Sequence, residues 1–215
     1  MNYELRMKNG FTLVEMLVVI GIIAVLTAAS VVGFSKMQAT AEQTKVSELV
    51  SNTASALNVL YQQRGRWPKS LRDGASAGRL DHDSAVSLAK YMSLRCNKDD
   101  DGNPTELIGQ DKLGIVDHWA AAVIKRKGSS ASESDAVPQG GTIKDHILYY
   151  AIDLDGDGIV EANVGGETVK IRASAAVWSA GKDGEIDGYS GSAARHKVNQ
   201  DNVYSWNRGQ ATRVD

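Results

Sequence analysis

The chain has 215 residues, and its 24 basic and 26 acidic side chains give a formal charge of −2. This length and the 42% hydrophobic content support one medium-sized domain beside a separate apolar segment, and they exclude a large multidomain machine. The near-neutral charge offers no broad electropositive field, so no nucleic acid is expected as a partner. The single cysteine, Cys96, cannot form an intrachain disulfide.

An apolar run with one carboxylate begins close to the amino terminus. It extends over residues 11–34, and Glu15 is its only charged residue. The length is close to the roughly 20 residues that span a bilayer. Because an ionised side chain at membrane depth is costly, Glu15 requires a partner or a functional reason.

Three ordinary interpretations compete for this segment. A secretory signal would use Arg6 and Lys8 as its basic region and would be cut near Ser30. A plain transmembrane anchor fits the length but leaves Gly10 and Glu15 unexplained. A buried core helix is disfavoured by the basic residues just ahead of the run.

The apolar run continues into a predicted amphipathic helix. No Gly or Pro interrupts residues 35–64, and apolar residues recur there at three- and four-residue steps. Gly65 and Pro68 then favour a helix end. Counted from Phe11, the predicted helix has about 54 residues and is roughly 80 Å long. Its first half suits lipid or a filament core, and its second half suits packing on a sheet.

Shorter elements are predicted beyond the long helix. One further helix is expected over residues 83–94, an acidic connection rich in turns over 97–104, and a solvated loop over 125–135. Four β-rich runs, separated by Gly and Asp, follow at 147–154, 159–163, 169–174 and 175–178. A long helix followed by strands predicts an α+β fold in which one face of the helix covers an antiparallel sheet.

An acidic loop between the first two β-rich runs begins like a calcium-binding loop. Asp153, Asp155 and Asp157 alternate, and Gly158 is in sixth place, as in an EF-hand loop. However, Val164 occupies the twelfth position, where a bidentate Glu closes the calcium shell. Asp-Gly dipeptides are also typical of hairpin turns, so a weak calcium site and a plain turn both remain open.

Catalytic patterns are missing from the sequence. The histidines are scattered without the His-Glu-x-x-His spacing of zinc proteases, and neither a Gly-x-Ser-x-Gly elbow nor a phosphate-binding loop occurs. No apolar pocket can be assigned that would tune one of the carboxylates as a general acid. The chain is therefore expected not to be an enzyme.

The segment from residue 8 to 17 resembles the signal of type IV pilins and type II secretion pseudopilins. In that family a prepilin peptidase cuts after the Gly and methylates the new amino terminus. The resemblance implies cleavage after Gly10 and N-methylation of Phe11. It further implies that Glu15 pairs with the terminal amine of a neighbouring subunit as a filament assembles.

Two segments near the carboxyl terminus, residues 179–184 and 201–206, also resemble pseudopilin sequences. In major pseudopilins the loop between the corresponding blocks holds a structural calcium ion. The resemblance implies Asp183 and Asp201 as calcium ligands, and Asp187 is a further candidate without an assigned position in the family pattern.

The resemblance implies four consecutive regions in the chain. These are a leader peptide over 1–10, a transmembrane or filament-core helix over 11–34, an amphipathic helix over 35–64 and a globular α+β head over 65–215. The expected fold is pilin-like, with the long helix packed on the carboxyl-terminal antiparallel sheet.

The leading interpretation of function is the major pseudopilin of a type II protein secretion system. A type IV pilus subunit for adhesion or motility, and a membrane-anchored surface binding module that does not polymerise, are the alternatives. Expected partners are further copies of the chain, minor pilins or pseudopilins, the prepilin peptidase, the assembly platform and the inner membrane. The head is expected in the periplasm before assembly, and in a periplasmic or cell-surface filament afterwards.

Overall fold

A computed structural model of the chain describes residues 12–72, 77–187, 201–206 and 211–213. Its contacts divide the chain into two units, one up to Glu42 and the other from Gln43 onward. The predicted leader, together with Gly10 and Phe11, lies outside the described residues.

One long helix opens the structure. This helix, α1, runs Leu13–Arg64 and has 52 residues. Gly65 follows it with a positive φ of 64°, and its N–H donates to the Tyr61 carbonyl over 2.8 Å. This is the left-handed helix cap that Gly adopts without a steric penalty. The predicted end of the long helix is therefore confirmed.

The side chains of α1 lie in different surroundings along its length. Every large apolar side chain between Leu13 and Leu26 is exposed, from 45% for Val19 to 82% for Leu13. From Gln43 onward, one face of the helix is fully buried, with Val46, Val50, Leu57 and Leu60 at its centre. Within the described ranges, no helix is long and apolar enough to cross a membrane.

Short helices follow α1. They are α2 (Lys69–Arg72), α3 (His82–Val86), α4 (Ala89–Met92) and α5 (His118–Lys127), with 3-10 turns at Gly109–Asp111, Gly128–Ser130 and Ile143–His146. The single helix predicted over 83–94 is wrong. The N–H of Leu88 turns back to the Ala85 carbonyl, a three-residue step that interrupts the α-helical pattern, and Ser93 adopts a left-handed conformation after α4.

The basic triplet 125–127, predicted to lie in a loop, instead forms the last turn of α5. Cations at the carboxyl end of a helix interact favourably with its dipole. At the other end, the Asp117 side chain accepts hydrogen bonds from the first turn of the helix. These interactions at both ends stabilise α5, which therefore includes the basic triplet and ends at Lys127.

Within the described residues, antiparallel strands form three sheets. A four-stranded sheet has the order β1 (Ala77–Arg79), β4 (Tyr149–Ile152), β7 (Ala175–Ser179), β8 (Val203–Tyr204). A hairpin joins β2 (Cys96–Lys98) to β3 (Pro104–Leu107), and a three-stranded sheet has the order β5 (Ile159–Val164), β6 (Glu167–Arg172), β9 (Ala211–Arg213). The predicted α+β fold is confirmed.

Two features of the strands differ from the prediction. The segment 97–104, expected to be a plain connection, contains the turn and parts of both strands of the β2–β3 hairpin. The acidic segment 153–158 is not a hairpin turn, because β4 pairs with β1 and β7 whereas β5 pairs with β6. It therefore connects two different sheets.

The four-stranded sheet is buried on both faces. Successive residues of β7 alternate between two apolar cores: Ala175 and Val177 face the core that includes α1 and α5, whereas Ala176 and Trp178 face the core that includes β5 and β6. This alternation follows from the two-residue period of a strand. The sheet thus lies between the long helix and the three-stranded sheet.

Candidate functional site

The first candidate site lies at the start of α1. The backbone N–H and the hydroxyl of Thr12 donate to Glu15 Oε2 over 2.7 and 2.9 Å, and the Glu15 N–H donates to Thr12 Oγ1 over 3.2 Å. This reciprocal pattern is a capping box, in which a Thr and a Glu three residues later satisfy the first N–H groups of a helix. Glu15 therefore has a partner in its own chain, which the Thr-x-x-Glu spacing could have revealed.

The acidic loop between β4 and β5 brings three carboxylates together. One oxygen each of Asp153, Asp155 and Asp157 lies within 4.8 Å of the others. Asp153 is buried, and its two oxygens accept the N–H groups of Gly156 and Gly158 over 2.7 and 2.9 Å. Burial alone would raise the pKa of Asp153, but these hydrogen bonds outweigh it and lower the pKa.

The rest of this loop supplies few further oxygen ligands. Val164, in the closing position, is fully buried in the apolar core beside β5. Glu161 is engaged across the sheet, with its Oε1 at 3.1 Å from Lys170 Nζ on β6. The three converging aspartates therefore fit part of a calcium shell without the bidentate carboxylate that closes an EF-hand loop.

The two carboxyl-terminal segments that resemble pseudopilin blocks come together in the structure. Asp201 Oδ2 accepts the backbone N–H groups of Lys182 and Asp183 over 2.6 and 3.3 Å. Gly181 is needed at this contact, because a Cβ there would lie 2.7 Å from Asp201 Cγ and its φ is 77°. Asp201 thus holds the turn that follows β7.

Asp183 lies in the same turn, and its Oδ1 accepts the Glu185 N–H over 3.0 Å. Burial and the neighbouring charge of Asp201 raise the pKa of Asp183. Asp187 does not form a convergent group with Asp183 and Asp201. Within the described ranges, one group of three potential metal-ligand side chains converges, and it consists of Asp153, Asp155 and Asp157. The intervening residues 188–200 lie outside the described ranges.

A buried polar network that the sequence did not reveal lies beneath this turn. Asp117 Oδ2 lies 2.8 Å from His146 Nδ1 and accepts the Ser179 hydroxyl over 3.2 Å, while Asp117 Oδ1 caps α5 through the N–H groups of Trp119 and Ala120. His146 Nε2 lies 2.9 Å from the Gly140 carbonyl. One sequence signal for it was Asp117, which directly precedes the apolar segment of α5.

Both nitrogens of His146 therefore face acceptors, an arrangement that suits the imidazolium form. Burial opposes the positive charge, but the hydrogen bond and the charge of Asp117, with the Gly140 carbonyl, outweigh it and raise the pKa of His146. Asp117 and His146 thus form an ion pair whose side chains are both shielded from solvent.

Asp117, His146 and Ser179 are residue types of a hydrolytic triad, but their connectivity is different. The Ser179 hydroxyl bonds the carboxylate rather than the imidazole, and the second imidazole nitrogen is taken by Gly140. Each of the three is at most 1% exposed. A nucleophile must contact its base and reach a substrate, so this network is internal to the fold and has no catalytic geometry.

Comparison with known proteins gives similarities that agree with the fold and with the sequence at the start of α1. Residues 5–31 match the family described as prokaryotic N-terminal methylation motif. The chain is 25% identical over 151 residues to a type IV major pilin protein PilE of Neisseria gonorrhoeae, covering 64% of this chain and 89% of that protein. It is 23% identical over 139 residues to a fimbrial protein of Neisseria meningitidis serogroup A, covering 60% and 82%.

A third relative, the fimbrial protein EcpC of Eikenella corrodens, is 30% identical over 73 residues, covering 34% of this chain and 46% of that protein. No solved structure matches the chain. The fold, the methylation motif and these relatives define the class of protein: the chain is a type IV pilin-like subunit. The resemblance to the type IV pilin superfamily is confirmed, and so is the expectation that the chain is not an enzyme, since its relatives are structural pilins.

Proposed function

We propose that the chain is the subunit of a type IV pilin filament and assembles through its amino-terminal helix. The observation that carries this proposal is the exposed apolar stretch of α1 between Leu13 and Leu26, which lies within the methylation motif matched over residues 5–31. A helix that is apolar all round is stable only in lipid or against other apolar helices. Other copies of the same helix would provide that environment in a filament.

The proposal includes the membrane stage that precedes assembly. In this proposal the prepilin peptidase removes residues 1–10 and methylates Phe11, and the apolar segment 11–34 then anchors the chain at the inner membrane with its head in the periplasm. The assembly platform and minor pilins then add it to the filament. Support comes from the match of residues 5–31 to the methylation motif.

Between the two kinds of filament, we propose a surface pilus for adhesion or motility. The support is that the similar proteins include type IV major pilins and fimbrial proteins. The second candidate is the major pseudopilin of a type II secretion system, which is favoured by the contact of Asp201 with the turn after β7. A membrane-anchored module that does not polymerise is the remaining alternative.

Intact mass and amino-terminal sequencing of the chain from its own membranes test the processing step. A methylated Phe11 terminus is expected in cells that contain the prepilin peptidase, and an uncut chain in cells that lack it. A terminus near Ser30 would instead indicate an ordinary secretory signal and would remove the filament proposal.

Two substitutions separate the capping role of Glu15 from its proposed pairing with a neighbouring amine. Gln can replace Glu in a capping box, so Glu15→Gln keeps the helix start but removes the charge, whereas Glu15→Ala removes both. If charge pairing drives registration, both variants lose filaments in electron micrographs. Normal filaments in Glu15→Gln together with lost filaments in Glu15→Ala would show that capping alone matters.

Deletion of the gene distinguishes the filament types. Long extracellular fibres that disappear on deletion, with unchanged protein export, are expected for the pilus. A loss of exported proteins without loss of surface fibres would assign the chain to type II secretion. A processed chain that enters no filament would favour the non-polymerising module.

We further propose that the acidic loop of Asp153, Asp155 and Asp157 binds calcium weakly, because three carboxylates converge there. The carboxyl-terminal site of Asp183 and Asp201, with Asp187, is the second candidate. Calcium at 100 times its dissociation constant would stabilise the native chain by about 2.7 kcal/mol. We expect chelation to lower the melting temperature by several degrees, and Asp155→Ala, but not Asp183→Ala, to abolish that shift. No shift on chelation would remove the proposal.

A further inference from the structure

A strongly cationic groove lies where α1 ends and α2 begins. Its volume is about 410 Å³, and its lining includes Arg64, Arg66, Lys69 and Arg72 above a floor formed by Trp67. These four cations lie within nine consecutive residues that contain no acidic side chain, in a chain whose formal charge is −2. The groove therefore concentrates positive charge on a protein that is otherwise slightly acidic.

The floor of the groove is fixed by tertiary contacts. Trp67 is 3% exposed, its ring stacks on Tyr61 with centroids 4.7 Å apart, and its Nε1 donates to the Asp153 carbonyl over 2.6 Å. Trp67 thereby anchors the backbone between Arg66 and Lys69 to α1 and to the loop after β4. Such anchoring reduces the ordering cost of binding a charged ligand.

Among the described residues, ion pairs do not account for the charges of the three arginines. Within the described part of the chain, no ion pair is seen for Arg64, Arg66 or Arg72. Arg64 is in the last turn of α1, where a cation interacts favourably with the helix dipole. That explanation does not extend to Arg66, which lies between α1 and α2, and for Arg72 it is weak because α2 has only four residues.

A second groove adjoins the first at Arg64. Its volume is about 360 Å³, and its lining adds Lys90, Gln63 and Tyr91. Two grooves joined at one arginine suit several anionic groups in a row better than a single small anion. Guanidinium groups bind carboxylate, sulfate and phosphate oxygens in a bidentate manner, so arginine-rich grooves are well suited to such oxyanions.

The aromatic residues of the grooves distinguish between two classes of polyanion, single-stranded nucleic acid and acidic polysaccharide. Proteins that bind single-stranded nucleic acid stack bases on exposed aromatic rings. Here Trp67 is buried, and the half-buried Tyr91 donates its hydroxyl to Gln63 Oε1 over 2.8 Å. The grooves thus offer cations without a free stacking surface. We propose that this cationic groove binds the carboxylate or sulfate groups of a linear acidic polysaccharide.

Binding by the full chain in nonionic detergent tests this proposal independently of filament assembly. Heparin serves as the sulfated probe, polygalacturonate as the carboxylated probe and oligo-deoxythymidine as the nucleic-acid competitor, all at low ionic strength. The double variant Arg66→Gln/Arg72→Gln removes two exposed cations of the groove. The double variant Lys125→Gln/Arg126→Gln removes two exposed cations at the end of α5 and is the matched control for net charge.

We expect Arg66→Gln/Arg72→Gln to weaken polysaccharide binding about fivefold to tenfold, since each exposed charge contact is weak and screened by solvent. The control variant should bind like the unmodified chain. Stronger binding of heparin or of polygalacturonate identifies sulfate or carboxylate as the preferred group. Equal weakening in both variants would mean unspecific attraction and would overturn the proposal, as would tighter binding of oligo-deoxythymidine or no polysaccharide binding at all. Circular dichroism checks that both variants keep the fold.

Discussion

At the scale of single residues, Asp117 joins three separate parts of the described structure. Its carboxylate caps α5, faces the His146 imidazolium and accepts the Ser179 hydroxyl, while the side chain is fully buried. A buried ion pair contributes little net stability, but removing one partner leaves the other charge uncompensated. The loss of Asp117 should therefore cost more than the loss of its hydrogen bonds.

Replacing Asp117 with Ala should lower the free energy of unfolding by about 3–5 kcal/mol. Asp117→Asn should cost less, because Asn is a good helix cap and its amide N–H can donate to a neutral His146. Urea unfolding of the full chain in nonionic detergent, followed by tryptophan fluorescence, measures both values. Equal losses in the two variants would contradict the importance of the helix cap.

At the scale of elements, α1 combines two surroundings in one continuous helix. Leu57 is fully buried against the sheet, whereas Val59, two residues on, is 40% exposed. Neighbouring positions on a helix point in different directions, so a single element contains both a core face and a solvent face. The effect of a substitution on stability therefore depends on which face of the helix the residue occupies, and not on its position along the chain.

Leu57→Ala should destabilise the chain by about 2–5 kcal/mol, since it opens a cavity in the core. Val59→Ala should change stability by no more than about 0.5 kcal/mol, as is usual for surface positions. Thermal unfolding of the two variants under identical conditions makes the comparison. A similar effect at both positions would mean that α1 does not pack on the sheet as the structure shows.

The turn after β7 offers a second comparison at this scale. Gly181 and Gly156 have similar positive φ values of 77° and 80°, but only at Gly181 would a Cβ meet another residue, Asp201, at 2.7 Å. Gly156→Ala should therefore cost about 1 kcal/mol from backbone strain alone. Gly181→Ala should cost at least about 1 kcal/mol more, because the Asp201 contact must also break. Equal costs in denaturant unfolding would show that Asp201 does not hold this turn.

At the scale of the whole molecule, stability combines groups that titrate in opposite directions. The pKa of His146 is raised, so its contribution is complete below the ordinary pKa of His and disappears as the pH rises through the folded value. Hydrogen bonds lower the pKa of the partly exposed Asp145 and of the buried Asp153, so these contributions are lost as the pH falls through the folded values. The raised pKa of Asp183 acts in the same direction as that of His146.

The melting temperature of the chain should therefore be highest between about pH 4 and pH 6.5, the ordinary pKa values of Asp and His, and decrease on either side. In Asp117→Asn the decrease at alkaline pH should become much smaller, because the main cause of the raised pKa of His146 is removed and only the Gly140 carbonyl and the charge of Asp145 remain. Melting curves across this pH range provide the measurement. A decrease that persists unchanged in Asp117→Asn would assign it to another group.

The sequence by itself determined the elements whose causes are local. The end of α1 follows from Gly65 and Pro68, and its change from apolar to amphipathic character can be read from side-chain spacing alone. Four strand segments were predicted near their observed positions, because short runs that contain β-branched or aromatic residues between Gly and Asp have a local preference for strands. The pilin-like motif around Glu15 is likewise contiguous in the chain.

Only the tertiary structure decided how these elements pair. The partition of strands into separate sheets, the two-residue strand β8 and the contact of Asp201 with the turn after β7 join residues far apart in sequence. The same holds for the ion pair between Asp117 and His146, which are 29 positions apart. Local preference contains no information on such pairs, since burial and hydrogen bonding across the fold become favourable only once the core has formed.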